Sequence, residues 1–376
     1  MKLVISILSF VGIVLVHSIA LGESGYVESP FNHLRLKLNE TPEDYSFQVA
    51  GHIYGATITQ RTRFYPSSSV LCNLEKITGA DLDFFISVGD FVPFFHTSRL
   101  DQFEKHFLAK VNVPFFNVVG NHEVAIRDYY GQNGGRDRSG YLKKYGEKTY
   151  YDFHHGNELF IFLDGELKIG DIQGDQLSYL LRRLDDALMD KTIKNILIFS
   201  HKIVWAVNND EFKVLYDQIK RFGYPEANSF KDIIEPKIRV LSKAKNVYWI
   251  SSEIGPRWSY DSLFYHKVPN LNLTYIATGL GDRVQDKILQ FDVKKNGEIQ
   301  ITPISLSDRA PEKLEYYGLD YWAGLRPEKE EIQQKILRIF KTSHFWYGVL
   351  TTCFVFVFLV GIVAFIRKRD SSKHVQ

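Results

Sequence analysis

Apolar runs that end in a polar residue recur through the middle of this chain. Each run is short and apolar, as a buried strand is, and leads within a residue or two to a side chain that can bind metal or contact phosphate. The five runs are Ser46–His52, Phe84–Asp90, Phe115–Glu123, Ile196–His201 and Val247–Glu253. Because ligands bind beyond the carboxyl ends of strands in open α/β sheets, this repetition predicts one site built from distant parts of the sequence.

Helical periodicity alternates with these runs. Apolar residues recur at three- to four-residue spacing in the segments Leu100–Val111, Gln173–Leu188 and Asp210–Arg221. Later strand-like runs lack intervening helices, and two of them flank Lys295-Asn296-Gly297, the composition of a hairpin turn. We therefore predict an α/β fold over residues 45–306, a sandwich of mixed sheets flanked by helices. Residues 131–140, which hold four glycines, are predicted to form a mobile loop.

Both ends of the chain carry long apolar segments. Residues 1–22 have the pattern of a signal peptide, with an uncleaved signal anchor as the alternative. Residues 345–366 are uncharged and are predicted to form a transmembrane helix, with a buried core helix as the alternative. Basic residues open the predicted cytoplasmic tail, 367–376, and residues 307–344 are assigned to a linker and an amphipathic stalk. This layout predicts a single-pass protein whose body is extracytoplasmic: periplasmic, extracellular or lumenal.

Composition narrows the classes of protein further. The net charge is only +2 and no basic stripe stands out in the body, so a nucleic-acid partner is not expected. Cys353 falls in the predicted membrane helix, which leaves Cys72 alone in the body and excludes an intramolecular disulfide there. The fold must therefore rest on its apolar core.

Two of the strand-end motifs carry a family resemblance. Gly120-Asn121-His122-Glu123 follows one apolar run and Gly89-Asp90 follows another. Together they resemble the calcineurin-like metallophosphoesterases, and the resemblance covers roughly Tyr45 to Leu306. It implies a phosphoric ester hydrolase in which a divalent ion (Mn, Fe, Zn or Mg) activates a water for attack on phosphorus.

The resemblance also implies roles for individual residues. Asp90 would bridge two metals, Asn121 and His201 would bind the second metal, and His52 would bind the first. His122 would be the catalytic acid that contacts the phosphate or the leaving oxygen, a role suited to imidazole. Glu253 would be a carboxylate ligand where the family has a histidine. The alternatives are that His52 and His201 are structural and that Glu253 is not a ligand.

Three positions depart from the family pattern. Ala50 stands where an aspartate belongs, and Glu253 and Gly255 stand where two histidines belong. The first metal would keep only His52 and Asp90, fewer than the usual three or four protein ligands, so we expect one ion rather than two. The same departures leave open a pseudoenzyme that acts as a binding or assembly module in the cell envelope or secretory pathway.

The predicted tether bears on the substrate. A membrane-anchored site would reach a phosphorylated lipid or glycan as readily as a phosphorylated small molecule. We therefore expect one of these three substrate classes, with the membrane itself as a partner through the C-terminal helix.

Overall fold

The computed structural model describes most of the chain between its two ends. The described residues are 25–38, 43–55, 66–79, 81–127, 133–146, 148–220, 223–254, 261–325 and 343–373. They belong to two compact units, Met1–Leu325 and Arg326–Gln376. The predicted signal segment, Gly255 and residues 326–342 of the predicted stalk lie outside the described residues.

A six-stranded mixed sheet forms one layer of the first unit. In spatial order its strands are β12 (Leu263–Lys267), β13 (Leu273–Thr278), β11 (Asn246–Ser251), β10 (Asn195–Ser200), β9 (Glu158–Leu163) and β8 (Tyr151–His155). The four central strands β13, β11, β10 and β9 are parallel, and both edge strands are antiparallel to their neighbours. The carboxyl ends of the central strands therefore meet at one edge of the sheet.

A five-stranded mixed sheet forms the second layer. In spatial order its strands are β15 (Ile299–Ser305), β14 (Lys287–Val293), β3 (Tyr45–Ala50), β4 (Phe84–Ser87) and β5 (Phe115–Asn117). Strands β3, β4 and β5 are parallel, while β14 and β15 form the antiparallel hairpin that Lys295-Asn296-Gly297 predicted. All five strand-end motifs thus follow parallel strands.

Two short strand pairs complete the sheets. They are β1 (Tyr26–Glu28) with β2 (Arg35–Lys37), and β6 (Ala125–Arg127) with β7 (Asn133–Arg136). Strand β7 lies inside residues 131–140, which were predicted to form a mobile loop. Asn133–Arg136 form a strand paired with β6 instead of a loop. Pairing of strands uses backbone groups, so a glycine-rich segment can still be ordered by a partner strand.

Aromatic side chains fill the space between the two large sheets. Phe47 on β3 stacks on Phe84 of β4 and on Phe291 of β14, with ring centroids 4.8 Å and 4.7 Å apart. Phe160 on β9 meets Phe47 edge-on at 5.5 Å and so joins the two layers. Such pairs add about 0.5–1.5 kcal/mol each beyond the burial of their area. This core fixes the two sheets, and with them the two sets of strand ends, against each other.

Helices cover the outer faces of both sheets. They are α1 (Ser68–Cys72), α2 (Glu75–Thr78), α3 (Thr97–Phe103), α4 (Asn121–Val124), α5 (Ser139–Tyr145), α6 (Gly174–Met189), α7 (Lys213–Ile219), α8 (Glu235–Leu241) and α9 (Leu319–Gly324). Helix α6 buries Leu180, Leu184 and Ala187, the apolar stripe that its periodicity predicted. The predicted helix from Leu100 is α3 continued by a π-helical turn, Glu104–Leu108. The mixed α/β sandwich flanked by helices is confirmed.

Residues beyond β15 continue the first unit. A 3-10 turn, Leu314–Tyr317, and α9 follow the last strand. The Trp322 indole is buried and donates a hydrogen bond from Nε1 to the carbonyl of Leu263, 3.0 Å away. The compact unit therefore extends to Leu325, into a segment that the sequence assigned to a linker.

The second unit contains one described helix, α10 (Ser343–Lys373). It covers the segment predicted to span a membrane. Among the described residues, no helix combines the length and the apolar character that a membrane crossing requires. The helical conformation of residues 345–366 agrees with the prediction, and their transmembrane character is not supported.

Candidate metal centre

The strand ends of both sheets converge on one buried site. The backbone of Gly51, after β3, lies so close to the turn after β11 that a Cβ there would fall 1.9 Å from Ser252 Oγ. The next residue, His52, and Asp90 after β4 have φ angles of +54° and +58°. Side-chain-bearing residues rarely adopt this left-handed conformation, and it is a form of strain that clusters at functional sites.

Asp90 lies at the centre of the site. Its Oδ1 accepts a hydrogen bond from the backbone N–H of His122 at 2.9 Å, whereas its buried Oδ2 has no hydrogen-bond partner among the residues that the structure describes. The Nε2 atoms of His201, His122 and His52 lie 3.4 Å, 3.7 Å and 3.8 Å from this oxygen. Burial opposes ionisation, but the positive charges of His122 and His201 hold the pKa of Asp90 well below its usual range. A carboxylate oxygen is thus presented to three imidazoles.

His201, after β10, is oriented as a metal ligand would be. Its Nδ1 lies 2.9 Å from the carbonyl oxygen of Val88, to which it donates, so Nε2 points at Asp90 and at Asn121 Oδ1, 3.2 Å away. In the neutral ring all three of these atoms are acceptors, so they repel one another unless a proton or a metal ion lies between them. Burial acts to lower the pKa of His201, but the adjacent Asp90 outweighs it and raises that pKa to about 9. A proton or a metal ion can meet this demand.

His52 supplies a third ligand atom. It is buried, its ring stacks on that of His201 at 5.2 Å, and neither ring nitrogen has a hydrogen-bond partner in the described part of the chain. Burial outweighs the attraction of Asp90 and lowers the pKa of His52 to about 3, so the ring is neutral and offers a lone pair. Ligand atoms of His52, Asp90 and His201 all lie within 4.8 Å of one another.

This donor set fits a single divalent ion. Two imidazole nitrogens, one carboxylate oxygen and the nearby amide oxygen of Asn121 satisfy the usual count of four, and the unpaired Asp90 Oδ2 and His52 nitrogens lack another partner within the described residues. The family resemblance assigned His52 to one metal, and His201 and Asn121 to the other. In the structure these residues belong to one cluster of ligand atoms. Ala50, at the end of β3, contributes no ligand atom.

His122 lies beside the ligand group rather than in it. Its Nδ1 donates to the carbonyl oxygen of Pro93, and its Nε2 is 3.2 Å from the hydroxyl of Tyr54. The two rings stack with centroids 4.6 Å apart. The imidazole is therefore held by one bond on each side, with its Nε2 turned towards Asp90. Tyr54 lies two residues beyond His52, and no motif in the sequence predicted its contact with His122.

Glu123 positions Asp90 and was assigned no role from the sequence. Its Oε2 accepts backbone hydrogen bonds from Asp90 at 2.8 Å and Gly120 at 2.7 Å. Its Oε1 accepts from Phe91 at 2.8 Å and Val92 at 3.3 Å. Burial, with the charge of Asp90, raises the pKa of Glu123 to about 8, and these backbone donors act against that rise. A carboxylate directly after Asn121-His122 was the available clue.

Glu253, the fifth predicted ligand, is not part of the ligand group. Its Oε1 lies 2.5 Å from Nζ of Lys202, which neighbours His201 in sequence, and both side chains are buried. The carboxylate is thus neutralised by an ammonium group. The direction of the Lys202 side chain depends on packing behind β10 and β11. Residues distant in sequence supply this packing, so the local sequence did not predict the pair.

Comparison with known proteins bears on this centre. Residues 67–235 match the family model described as calcineurin-like phosphoesterase. The predicted resemblance to this family is confirmed over these residues.

One solved structure and one search result complete the comparison. The chain is similar to purple acid phosphatase PPD1 from yellow lupin (Lupinus luteus) seeds, with 13% sequence identity and a TM-score of 0.44. The match covers 74% of this chain and 59% of that chain, so the chain spans less than two thirds of the length of the phosphatase. No curated protein matches the sequence.

Proposed function

We propose that this protein is a metal-dependent phosphoesterase that hydrolyses a phosphomonoester or phosphodiester. The observation that carries the proposal is the buried, unpartnered Oδ2 of Asp90 faced by the Nε2 atoms of three histidines. The match to the calcineurin-like phosphoesterase model supplies the reaction class.

Four residues would hold the ion: His52, Asp90, Asn121 and His201. A divalent ion bound there would act as a Lewis acid towards phosphate and would lower the pKa of a water at neutral pH. Mixed nitrogen and oxygen donors suit Mn, Fe or Zn, and the carboxylate and amide oxygens also suit Mg. Glu123 holds the Asp90 turn in place through backbone N–H groups.

His122 would handle the proton that leaves with the product. Its Nδ1–H is fixed on Pro93, so Nε2 is the atom available to a substrate beside Asp90. A protonated Nε2 would donate to the leaving oxygen and avoid the release of an alkoxide. Tyr54 contacts the same Nε2 and would give way to, or support, the incoming phosphate.

Metal content tests the proposal directly. Purified protein should contain about one equivalent of divalent metal, the number its four ligands can hold. A generic aryl phosphate should be hydrolysed, hydrolysis should stop with a chelator, and Mn²⁺ should restore it. A protein that folds cooperatively yet binds no Mn²⁺, Zn²⁺ or Fe and hydrolyses no aryl phosphate would contradict the proposal.

A binding-only role is the second candidate. Ala50 offers no ligand atom, and Glu253 is engaged by Lys202 instead of a metal. A pseudoenzyme of this kind would still bind metal and inorganic phosphate, and it would act as a binding or assembly module. Metal-loaded protein that binds phosphate but turns over no phosphomonoester or phosphodiester at any pH between about 5 and 9, the range over which histidine titrates, would favour this second function.

We further infer an extracytoplasmic, membrane-tethered location. The support is the uncharged sequence of residues 345–366 and the exposure of apolar side chains along α10, such as Phe354 at 74% and Val357 at 68%. A continuous exposed apolar surface needs a non-aqueous neighbour. Protease added outside intact cells or spheroplasts should degrade a periplasmic or extracellular body, whereas a lumenal body should be protected in sealed microsomes. Protection in intact cells or spheroplasts together with degradation in sealed microsomes would contradict this location.

The tether also bears on the substrate class. We infer a phosphorylated lipid or glycan held at the membrane, with a soluble phosphate ester as the alternative. Deleting residues 327–376 should spare turnover of an aryl phosphate and abolish turnover of a phospholipid in vesicles. Equal loss of both activities would count against a membrane substrate.

A further inference from the structure

A second buried charge cluster adjoins the ligand group and has no part in the proposed chemistry. Lys202 is fully buried, and its Nζ lies 2.5 Å from Glu253 Oε1 and 3.6 Å from Glu166 Oε1. The same Nζ lies 4.9 Å from the centre of the Tyr224 ring. We call these four residues the lysine cluster.

The lysine cluster lies at the edge of the six-stranded sheet that also carries the ligand His201. Glu166 follows β9, Lys202 follows β10 and Glu253 follows β11, each just beyond the strand's carboxyl end. The backbone N–H of Glu253 donates to the carbonyl oxygen of His201 at 3.1 Å. A ligand of the metal group is therefore bonded, through its own backbone, to the cluster.

Two buried carboxylates require a cation between them. Leaving one charge of a buried pair uncompensated costs about 3–5 kcal/mol, so Glu166 and Glu253 demand either a metal ion or a charged side chain. The chain supplies the side chain. The lysine stem is also held in place, since a Cβ on Gly165 would lie only 3.0 Å from Lys202 Cβ.

We propose that Lys202 is a built-in cation that takes the place of a second metal ion between Glu166 and Glu253, and so restricts the centre to one ion. This inference rests on the proposed function. It explains why Glu253 stands at a ligand position without joining the ligand group. It also explains how a region that holds the carboxylates of Asp90, Glu166 and Glu253 can bind only one divalent ion.

The number of Mn²⁺ ions bound by the full-length protein tests the proposal. Equilibrium dialysis should give about one equivalent for the wild type and for Lys202→Arg, which keeps the charge. Lys202→Met removes the charge, keeps the stem and frees two carboxylates, so it should acquire a second, weaker equivalent. A folded Lys202→Met protein that still binds one equivalent at saturating Mn²⁺ would overturn the proposal.

Two arms keep the outcomes separable. If the wild type binds no metal, the proposed function fails, whatever the variants do. If Lys202→Met does not fold, Glu253→Gln decides instead, because it removes the charge of Glu253 and leaves Lys202 with Glu166. The Mn²⁺ affinity of Glu253→Gln should stay within about threefold of wild type. A loss of about tenfold or more is typical of a residue that binds or tunes the ion, so it would make Glu253 a ligand and overturn the proposal.

Discussion

The two ends of the sandwich treat their buried polar groups differently. At the carboxyl ends of the parallel strands, Asp90 Oδ2 and both nitrogens of His52 have no hydrogen-bond partner within the described residues. At the opposite end, Glu158 accepts hydrogen bonds from Tyr45 Oη at 2.9 Å, Asn195 Nδ2 at 2.7 Å and the backbone N–H of Asn157 at 3.0 Å. The carboxylate of Glu158 is therefore fully hydrogen-bonded within the protein, whereas the atoms of Asp90 and His52 are arranged to bind a cation.

An unpaired atom alone does not identify a site. His155 lies at the same end of the sandwich as Glu158 and is buried, and neither of its ring nitrogens is hydrogen-bonded to another described residue. Its ring faces Tyr45 edge-on, with centroids 4.4 Å apart, and among the described residues it belongs to no group of three or more possible metal ligands. Convergence of several unpaired acceptors is what separates the metal centre from a structural histidine.

Replacing Asp90 with asparagine should have the largest effect. The change keeps the shape and removes the charge on which the three imidazoles converge, so bound metal should be lost. Hydrolysis should fall by about 10³-fold or more, the upper range for loss of an electrostatic contributor. Metal analysis and aryl phosphate turnover measure both effects. Asp83→Asn, at the other end of the same strand, is the matched control; an equal loss there would remove the distinction between the two ends.

Substituting glutamine for His122 should leave the metal in place and slow the reaction. The side chain contacts Pro93 and Tyr54, outside the ligand group, and its proposed work is proton transfer. We expect kcat to fall by about 10²–10⁴-fold, the usual contribution of a general acid, with metal content unchanged. Loss of metal in this variant would place His122 among the ligands.

The sequence predicted most of what positions the centre. Alternating apolar runs and helices gave the sandwich, and the strand-end rule gathered His52, Asp90, Asn121 and His201, which the structure brings together. It worked because side chains at the ends of parallel strands have little choice of direction. The helix from Leu100 was also found, although the π-helical turn that extends it was not, because apolar spacing barely distinguishes the two helical forms.

The remaining parts of the centre depend on contacts between distant residues. Tyr54 reaches His122 across 68 positions of sequence, and Lys202 reaches Glu253 across 51. Neither pair has a spacing that a periodicity could reveal. The position of His52 beside His201 and Asp90 likewise depends on where the chain turns after β3, which the positive φ angle of His52 fixes.

The pH dependence of stability should report the burial of His155. Burial lowers the pKa of His155 to about 4 from its ordinary 6.5. Because the unfolded chain takes up this proton more readily, folding stability should fall as the pH drops from about 6.5 to about 4, by roughly 3 kcal/mol at 1.36 kcal/mol per unit. In His155→Leu this contribution is absent, so its free energy of unfolding should fall less than that of the wild type between the two pH values, by the same amount. Urea unfolding of both proteins at both pH values measures the difference. Parallel losses in variant and wild type would show that the buried ring does not titrate this way.

The smallest expected effect comes from Tyr45→Phe, which removes one donor from Glu158 while keeping the ring between the sheets. A hydrogen bond to a carboxylate contributes about 1.5–3 kcal/mol to stability, and the two remaining donors should limit the loss to about 1.5 kcal/mol. Tyr151→Phe is the matched control, since Tyr151 donates to the uncharged carbonyl of Asn117 at 3.1 Å and should cost about 1 kcal/mol or less. Urea unfolding of both variants, with metal content measured in parallel, tests whether the hydrogen bonds of Glu158 contribute to stability and not to metal binding. A loss of bound metal in Tyr45→Phe would mean that the two ends of the sandwich are coupled, because Tyr45 lies at the start of the strand that ends beside His52.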